Sequence, residues 1–138
     1  MSSHTRQPTV DDEFDMSEFC KYKISDIIDE SLKKTIPDNS EIEFILDTSI
    51  NLLNKLSIVL YKVSPCFPEH YQIFKMYKDT YLVYIYAKLK PFLNEESLKA
   101  NKENLILFAR WLDKFETILT LLGIELYETS IAPVSYYS

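Results

Sequence analysis

Gly123 is the only glycine in 138 residues. Hairpin turns and phosphate-cradling loops both draw on glycine, because a residue without a Cβ enters positive φ freely and lets backbone approach a ligand closely. A chain almost without it is directed toward helices with short connections, and it carries no phosphate-loop motif. With 46% hydrophobic and 26% charged residues, a chain of this length is not generally disordered and can bury one real core as a single domain. The expected fold class is all-α.

Periodicity places the helices. Residues 1–17 (MSSHTRQPTVDDEFDMS) are polar and acidic and read as a disordered tail, in which Phe14 or Met16 could dock locally. Residues 18–138 read as the bundle. A first helix is expected from about Ser17 to Lys34, with Phe19, Ile24, Ile27, Ile28 and Leu32 on one face. Lys33 and Lys34 suit its C-terminus, and Ile36-Pro37-Asp38-Asn39 breaks the pattern. Ser40 and Glu43 have capping-box spacing, so a second helix should start at Glu41. Ile42, Ile45, Leu46, Leu53, Leu56, Leu60 and Val63 carry it to Ser64.

A third helix is expected from about Glu69 to Leu89, through Tyr71, Phe74, Tyr77, Tyr81, Ile85 and Leu89, ending or kinking at Pro91. Asn94 to Lys102 is a polar connection with room for a turn of helix. The fourth helix, about Lys102 to Leu122, carries Leu105, Phe108, Ala109, Leu112, Phe115, Leu119 and Leu122, and Gly123 is placed to cap it. About four main helices on short connections predict an antiparallel bundle. Glu125 to Ser138 has no strong pattern, and the chain has no internal repeat.

The break between the second and third helices is the sharpest. Pro65 and Pro68 lack a backbone N–H and push the preceding residue out of the α region. Cys66 and Phe67 lie between them, and the apolar helix ends on either side predict that both are buried where the two helices meet. Pro65, Cys66, Phe67 and Pro68 thus form the expected structural turn.

Two helices carry more apolar residues than one core needs. On the fourth, Leu107, Trp111, Ile118 and Leu121 widen the sector beyond the ~100° stripe of a simple surface helix. On the third, the face opposite the main stripe runs Lys75, Asp79, Val83, Tyr86, Lys90 and is only half polar. Val83, Tyr86, Leu107, Trp111 and Ile118 are therefore the candidate partner contacts.

The polar residues point to no chemistry. Cys66 and His70 have C-x-x-x-H spacing, but only Cys20 and His4 remain to complete a tetrahedral zinc site. A Cys–His nucleophile would lack an orienting carboxylate in register and the glycine-rich loops that usually build an oxyanion hole. The reading is no catalytic residue, no cofactor and no metal. A net charge of −6 disfavours nucleic acid and anionic membrane. The lysines interleaved with tyrosines from Lys62 to Lys90 agree with that, since Lys75, Lys78, Lys88 and Lys90 spread around the helix instead of forming one stripe. Two distant cysteines and no secretory signal peptide suggest a reduced intracellular setting with both thiols structural. No apolar run approaches the ~20 residues of a membrane span. Tyr136 and Tyr137 read as a docking peptide, or more often as a frayed end or the cut edge of a larger chain.

Val63-Ser64-Pro65-Cys66-Phe67-Pro68-Glu69-His70-Tyr71-Gln72-Ile73-Phe74 resembles the VAPCFP…Y-x-I-F segment of the exocyst complex component 3 family. Leu107-Phe108-Ala109-Arg110-Trp111-Leu112-Asp113-Lys114-Phe115, followed by Leu122-Gly123-Ile124, is similar to that family's L-x-W-V-x-x-Y…L-G-V helix. The two matches cover roughly residues 55–124. The resemblance implies a segment of a helical-rod tethering subunit, without catalytic residues, that helps hold secretory vesicles at the plasma membrane before SNARE-mediated fusion. It further implies other exocyst subunits and SNARE proteins as partners, and a cytoplasmic protein that is peripheral at sites of secretion and reaches the membrane only through them. Family members are several times longer, which implies a middle portion or a shortened relative.

The alternative is a compact helical regulator that binds an amphipathic helix in a groove, as viral Bcl-2-like bundles do. Length and composition permit it, but there is no Asn-Trp-Gly-Arg-like groove motif. An open hydrophobic cleft between helices would favour the regulator, and exposed apolar faces at the ends would favour the rod segment.

Overall fold

The computed structural model describes residues 10–129, with the backbone alone for residues 10–17 and for Tyr127. Among them are five α-helices and no strand: α1 Val10–Leu32, α2 Ile42–Ile58, α3 Ile73–Leu89, α4 Glu95–Ala100 and α5 Lys102–Leu121. Four are long and one is a six-residue connector. The protein is an all-α bundle.

α1 begins at Val10, not near Ser17, so part of the stretch read as tail is helical. Asp11-Asp12-Glu13 put acidic residues in the first turn, where the helix dipole favours them. Residues 1–9, with His4, lie outside the described residues, as do Tyr136 and Tyr137.

The core stripe of α1 is Ile24, Ile28 and Leu32, spaced four apart, with Ile28 and Leu32 buried. Phe19 and Ile27, expected on this face, are instead 58% and 62% exposed. They are themselves eight residues apart and define a second face, about opposite the first.

α2 starts at Ile42 with Glu41 at its N-cap, but the capping box does not form. With Glu41 at the N-cap, Ser40 stands one residue outside the capping position, and its hydroxyl donates to the Pro37 carbonyl to close the preceding turn. That connection is clasped to α3. The Tyr84 hydroxyl accepts from the Ile36 amide at 2.9 Å, and the Lys88 ammonium donates to Asp38 at 2.9 Å. The hydrogen bond to Lys88, then its charge, hold the Asp38 carboxyl below the ordinary carboxylate range.

At its far end α2 widens into a π turn over Val59–Val63 and then tightens into a 3₁₀ turn over Ser64–Cys66. Pro65 explains the change. Its ring would strike the Tyr61 carbonyl in a regular helix, and it has no N–H to donate there. The Cys66 thiol supplies a substitute one residue on, donating to the Lys62 carbonyl at 3.4 Å. A second 3₁₀ turn, Glu69–Tyr71, and Gln72 at φ 52° then lead into α3, so the third helix starts at Ile73 and not at Glu69.

α3 ends at Leu89, before the 3₁₀ turn that contains Pro91. Asn94 and Asn101 cap α4 and α5, accepting from Ser97 N–H at 2.7 Å and Asn104 N–H at 3.2 Å. Gly123, at φ 77°, closes α5. The Ile124 amide bonds to Leu119 O and the Gly123 amide to Thr120 O, a Schellman end that tucks Ile124 into the core.

α3 lies between α1 and α2, and α2 lies between α3 and α5. α2 and α3 are therefore covered from two sides, while α1 and α5 are the edges of the array. The deepest side chains are Phe108, Phe115, Ile28, Leu53, Leu56, Ile85 and Leu89. Trp111 joins them at 4% exposure, stacked against Phe108 and Phe115 at 5.5 and 4.5 Å. Its Nε1–H donates to Ser49 Oγ at 2.7 Å, and the same hydroxyl donates to the Leu46 carbonyl. Trp111 therefore belongs to the core of this bundle, against the expectation that it lies on a surplus face.

Two outcomes test this account. Ser49→Ala should destabilise the protein by about 1–3 kcal/mol, because it strands a buried indole N–H. Adding Trp111→Phe should then cost much less than it does in the parent chain, a coupling that a double-mutant cycle in urea would read. At the Asp38–Lys88 clasp the folded pKa is lowered, so the contribution is present above the unfolded carboxylate pKa and disappears as pH falls through the lowered value. Asp38→Asn should remove that acid-range component from the pH profile of stability and leave the Lys88→Met variant nothing further to lose there.

Candidate functional site

The turn singled out in the sequence is on the surface. Pro65, Cys66 and Pro68 are exposed and Phe67 is 37% exposed, its ring 6.2 Å from that of Tyr71. Cys66 and Phe67 are therefore not wedged between the helices. The π turn carries the chain outward before Pro65 stops it, and Cys66 acts by occupying a helix-end carbonyl. His70 is exposed and meets the Tyr71 ring edge-on at 4.9 Å. Among the described residues no three His, Cys, Asp or Glu gather where they could hold a metal.

The candidate partner contacts separate into three kinds. Val83 is 68% exposed. Tyr86, Leu107 and Ile118 are half-buried against the core, with an accessible remainder. Trp111 is buried. Large exposed side chains that the sequence reading did not single out include Phe44 and Ile58 on α2, Tyr61 on the π turn, Ile106 on α5, and Phe19, Tyr22 and Ile27 on α1. On α1 the signal was available, since Phe19, Lys23 and Ile27 keep i, i+4, i+8 spacing on a face turned away from the core stripe. Reading both sets as one stripe concealed it. Lys23 lies over the Phe19 ring at 5.5 Å and joins this face into one surface.

Among the grooves lined by the described residues, two run between long helices and include candidate contacts. One, of about 480 Å³, lies between α1 and α3 with Leu32, Val83, Tyr84 and Ala87 along it and Asp29 and Asp79 at its lips. Asp79 is already paired with Lys75 at 2.6 Å, and that hydrogen bond, with the Asp79 charge, raises the Lys75 pKa. The other, of about 400 Å³, lies between α2 and α5. Its floor is Leu46, Ile50, Leu107 and Trp111, with Glu43 and Asp47 on the α2 lip and Arg110 and Lys114 on the α5 lip. The remaining ion pairs on α3, Lys78–Glu128 at 3.7 Å and Lys88–Asp38 at 2.9 Å, tie α3 to neighbouring segments instead of making a basic face. Tyr81 is buried, and that burial, then the neighbouring Tyr77, pushes its phenol pKa up.

The surface is suited to holding other helices: exposed apolar side chains, two open grooves and no assembled reactive group among the described residues. Exposed apolar faces and open grooves occur together, so the two features do not by themselves separate a rod segment from a groove-binding regulator.

Phe67→Ala should cost about 1 kcal/mol or less, since a ring this exposed leaves little cavity, whereas Phe115→Ala should cost about 3–5 kcal/mol. Val83→Gln should leave the melting temperature within a degree or two of the parent. Chemical denaturation of the three variants side by side checks the ranking.

A family described as exocyst complex component Sec6 has a model that matches residues 16–134. That span takes in most of α1 and all of α2 to α5. No curated protein and no solved structure matches the chain.

Proposed function

The chain belongs to the exocyst complex component Sec6 family, and from that premise we propose that it is a non-enzymatic helical scaffold within a vesicle-tethering assembly. More specifically, it acts as an exocyst component 3-type subunit that helps hold secretory vesicles at the plasma membrane before SNARE-mediated fusion. Its partners are then other exocyst subunits and SNARE proteins. It works in the cytoplasm, peripheral at sites of secretion, and reaches the membrane through those partners. No helix among the described residues is long and apolar enough to cross a membrane.

The observation that carries this reading is the family match across nearly the whole described array. The exposed apolar side chains support it physically where they adjoin on one face, as Phe19 and Ile27 do on α1, because adjoining apolar groups are what a partner helix covers. Val83, Tyr86, Leu107 and Ile118 are then contacts made through the outer surface. Trp111, which is buried, holds α5 in place.

Expressed with an affinity tag in cells, the chain should co-purify with other exocyst subunits, and Phe19→Asp with Ile27→Asp should weaken that recovery without altering the melt. Recovery of the chain alone, at physiological salt and with no exocyst subunit present, would sink the proposal.

A further inference from the structure

Glu43 and Asp47 lie one turn apart on α2, and Arg110 and Lys114 lie one turn apart on α5. All four are exposed and line the same groove. Among the described residues none of them takes part in an ion pair or a side-chain hydrogen bond. Other carboxylates of the array, such as Asp38, Asp79, Glu95 and Glu128, do have a lysine partner. The floor between the two lips is apolar, with Leu46 and Trp111 buried and Ile50 and Leu107 half-buried.

We infer that the α2–α5 groove docks a single amphipathic helix from a partner protein, with a basic edge against Glu43 and Asp47 and an acidic edge against Arg110 and Lys114. Its apolar stripe would cover Leu107 and Ile50. Covering the floor removes water from between the lips, which strengthens each charge contact relative to an open surface. Because the lips have opposite sign, only one direction of the docked helix satisfies both, so the charges set its polarity as well as its position.

The other occupants fit less well. Residues 130–138 (SIAPVSYYS) carry no charged side chain, and residues 1–9 carry only Arg6 and His4, so neither segment can answer both lips. In a second copy the exposed α1 face of Phe19, Tyr22 and Ile27 is flanked by Glu18, Asp26 and Glu30, which suit Arg110 and Lys114, but it offers a single nearby lysine, Lys23, to Glu43 and Asp47. The inference deepens the scaffold reading and rests on it, since it supposes a protein partner.

Trp111 is the only tryptophan in the chain and forms part of the floor, so its fluorescence reports the groove directly. The probes are three tryptophan-free helical peptides with the same leucine stripe: one with a lysine edge and a glutamate edge, one with lysine on both edges, one with glutamate on both. The mixed peptide should bind about tenfold more tightly than either of the others at low salt, and lose that advantage at high salt. The Glu43→Lys, Asp47→Lys double variant, checked by circular dichroism to be folded, should switch its preference to the all-glutamate peptide. Equal binding of the three peptides, or binding that leaves Trp111 emission unchanged, overturns the inference. So does concentration-dependent self-association that the same double variant abolishes, because the occupant would then be a second copy. Failure of the peptide discrimination while the chain still co-purifies with exocyst subunits would remove the groove and leave the scaffold reading standing. Loss of that co-purification would remove the scaffold reading itself.

Discussion

The hydrogen bond from the Trp111 indole to Ser49 sets how α5 meets α2, and the rest of the array follows from that meeting. A tryptophan this deeply buried needs a partner for its N–H, because the unpaired group would cost about 1–3 kcal/mol. Ser49 answers with a hydroxyl that accepts from the indole while donating to the Leu46 carbonyl, so both of its groups are used in a site of 0% exposure. The small side chain also leaves room for the indole to lie between Phe108 and Phe115. With α5 fixed there, the Schellman end at Gly123 brings Ile124 back into the same core. α2 becomes an inner helix, buried toward α5 and α3 at once, which is why Leu52 and Leu53 are both buried although they are adjacent in sequence.

What was legible in the sequence was local. The helical class, the stop at Pro91 and the cap at Gly123 depend on a few consecutive residues, and the structure has each of them. The errors have local as well as distant causes. Ser40 and Glu43 have the spacing of a capping box, but the helix starts one residue later, with Glu41 at its N-cap, and Ser40 closes the turn before it. Cys66 and Phe67 are flanked by apolar helix ends, yet a π turn moves the chain outward before the prolines act. Trp111 looked surplus because Ser49, its partner, is 62 residues away and reads as polar. Nothing in the α5 sequence alone shows that the indole has been provided for.

The candidate surface was legible only in part, and for a related reason. A helix wheel shows which residues are apolar but not which of two apolar sectors faces the core. On α1 the choice falls to Ile24, Ile28 and Leu32, because Ile36 and the Tyr84 and Lys88 clasp hold the C-terminal end of α1 beside that of α3. Phe19 and Ile27 then face outward as a consequence of tertiary packing. Val83 lies outward on the side of α3 that carries Lys75, Asp79 and Lys90.

A scaffold that works by packing helices against helices has to keep its own core separate from the surfaces it lends to partners. Here the order of the array contributes to the separation without completing it. The inner helices α2 and α3 spend most of their apolar residues on internal contacts from two sides, yet leave Phe44, Ile58 and Val83 exposed, while the edge helices α1 and α5 expose Phe19, Tyr22 and Ile27 on one and Ile106 and Leu121 on the other. Association through such edges gains on the order of 25 cal/mol for each Å² of apolar surface covered, against the cost of fixing two bodies together, so one edge contact alone is weak. Several contacts acting through one rigid array are not subject to the same limit, because the second binding event starts from a high effective concentration. The buried Trp111–Ser49 bond fixes α5 against α2 from inside the core, so an interaction hidden from solvent sets where the exposed side chains of α5 stand.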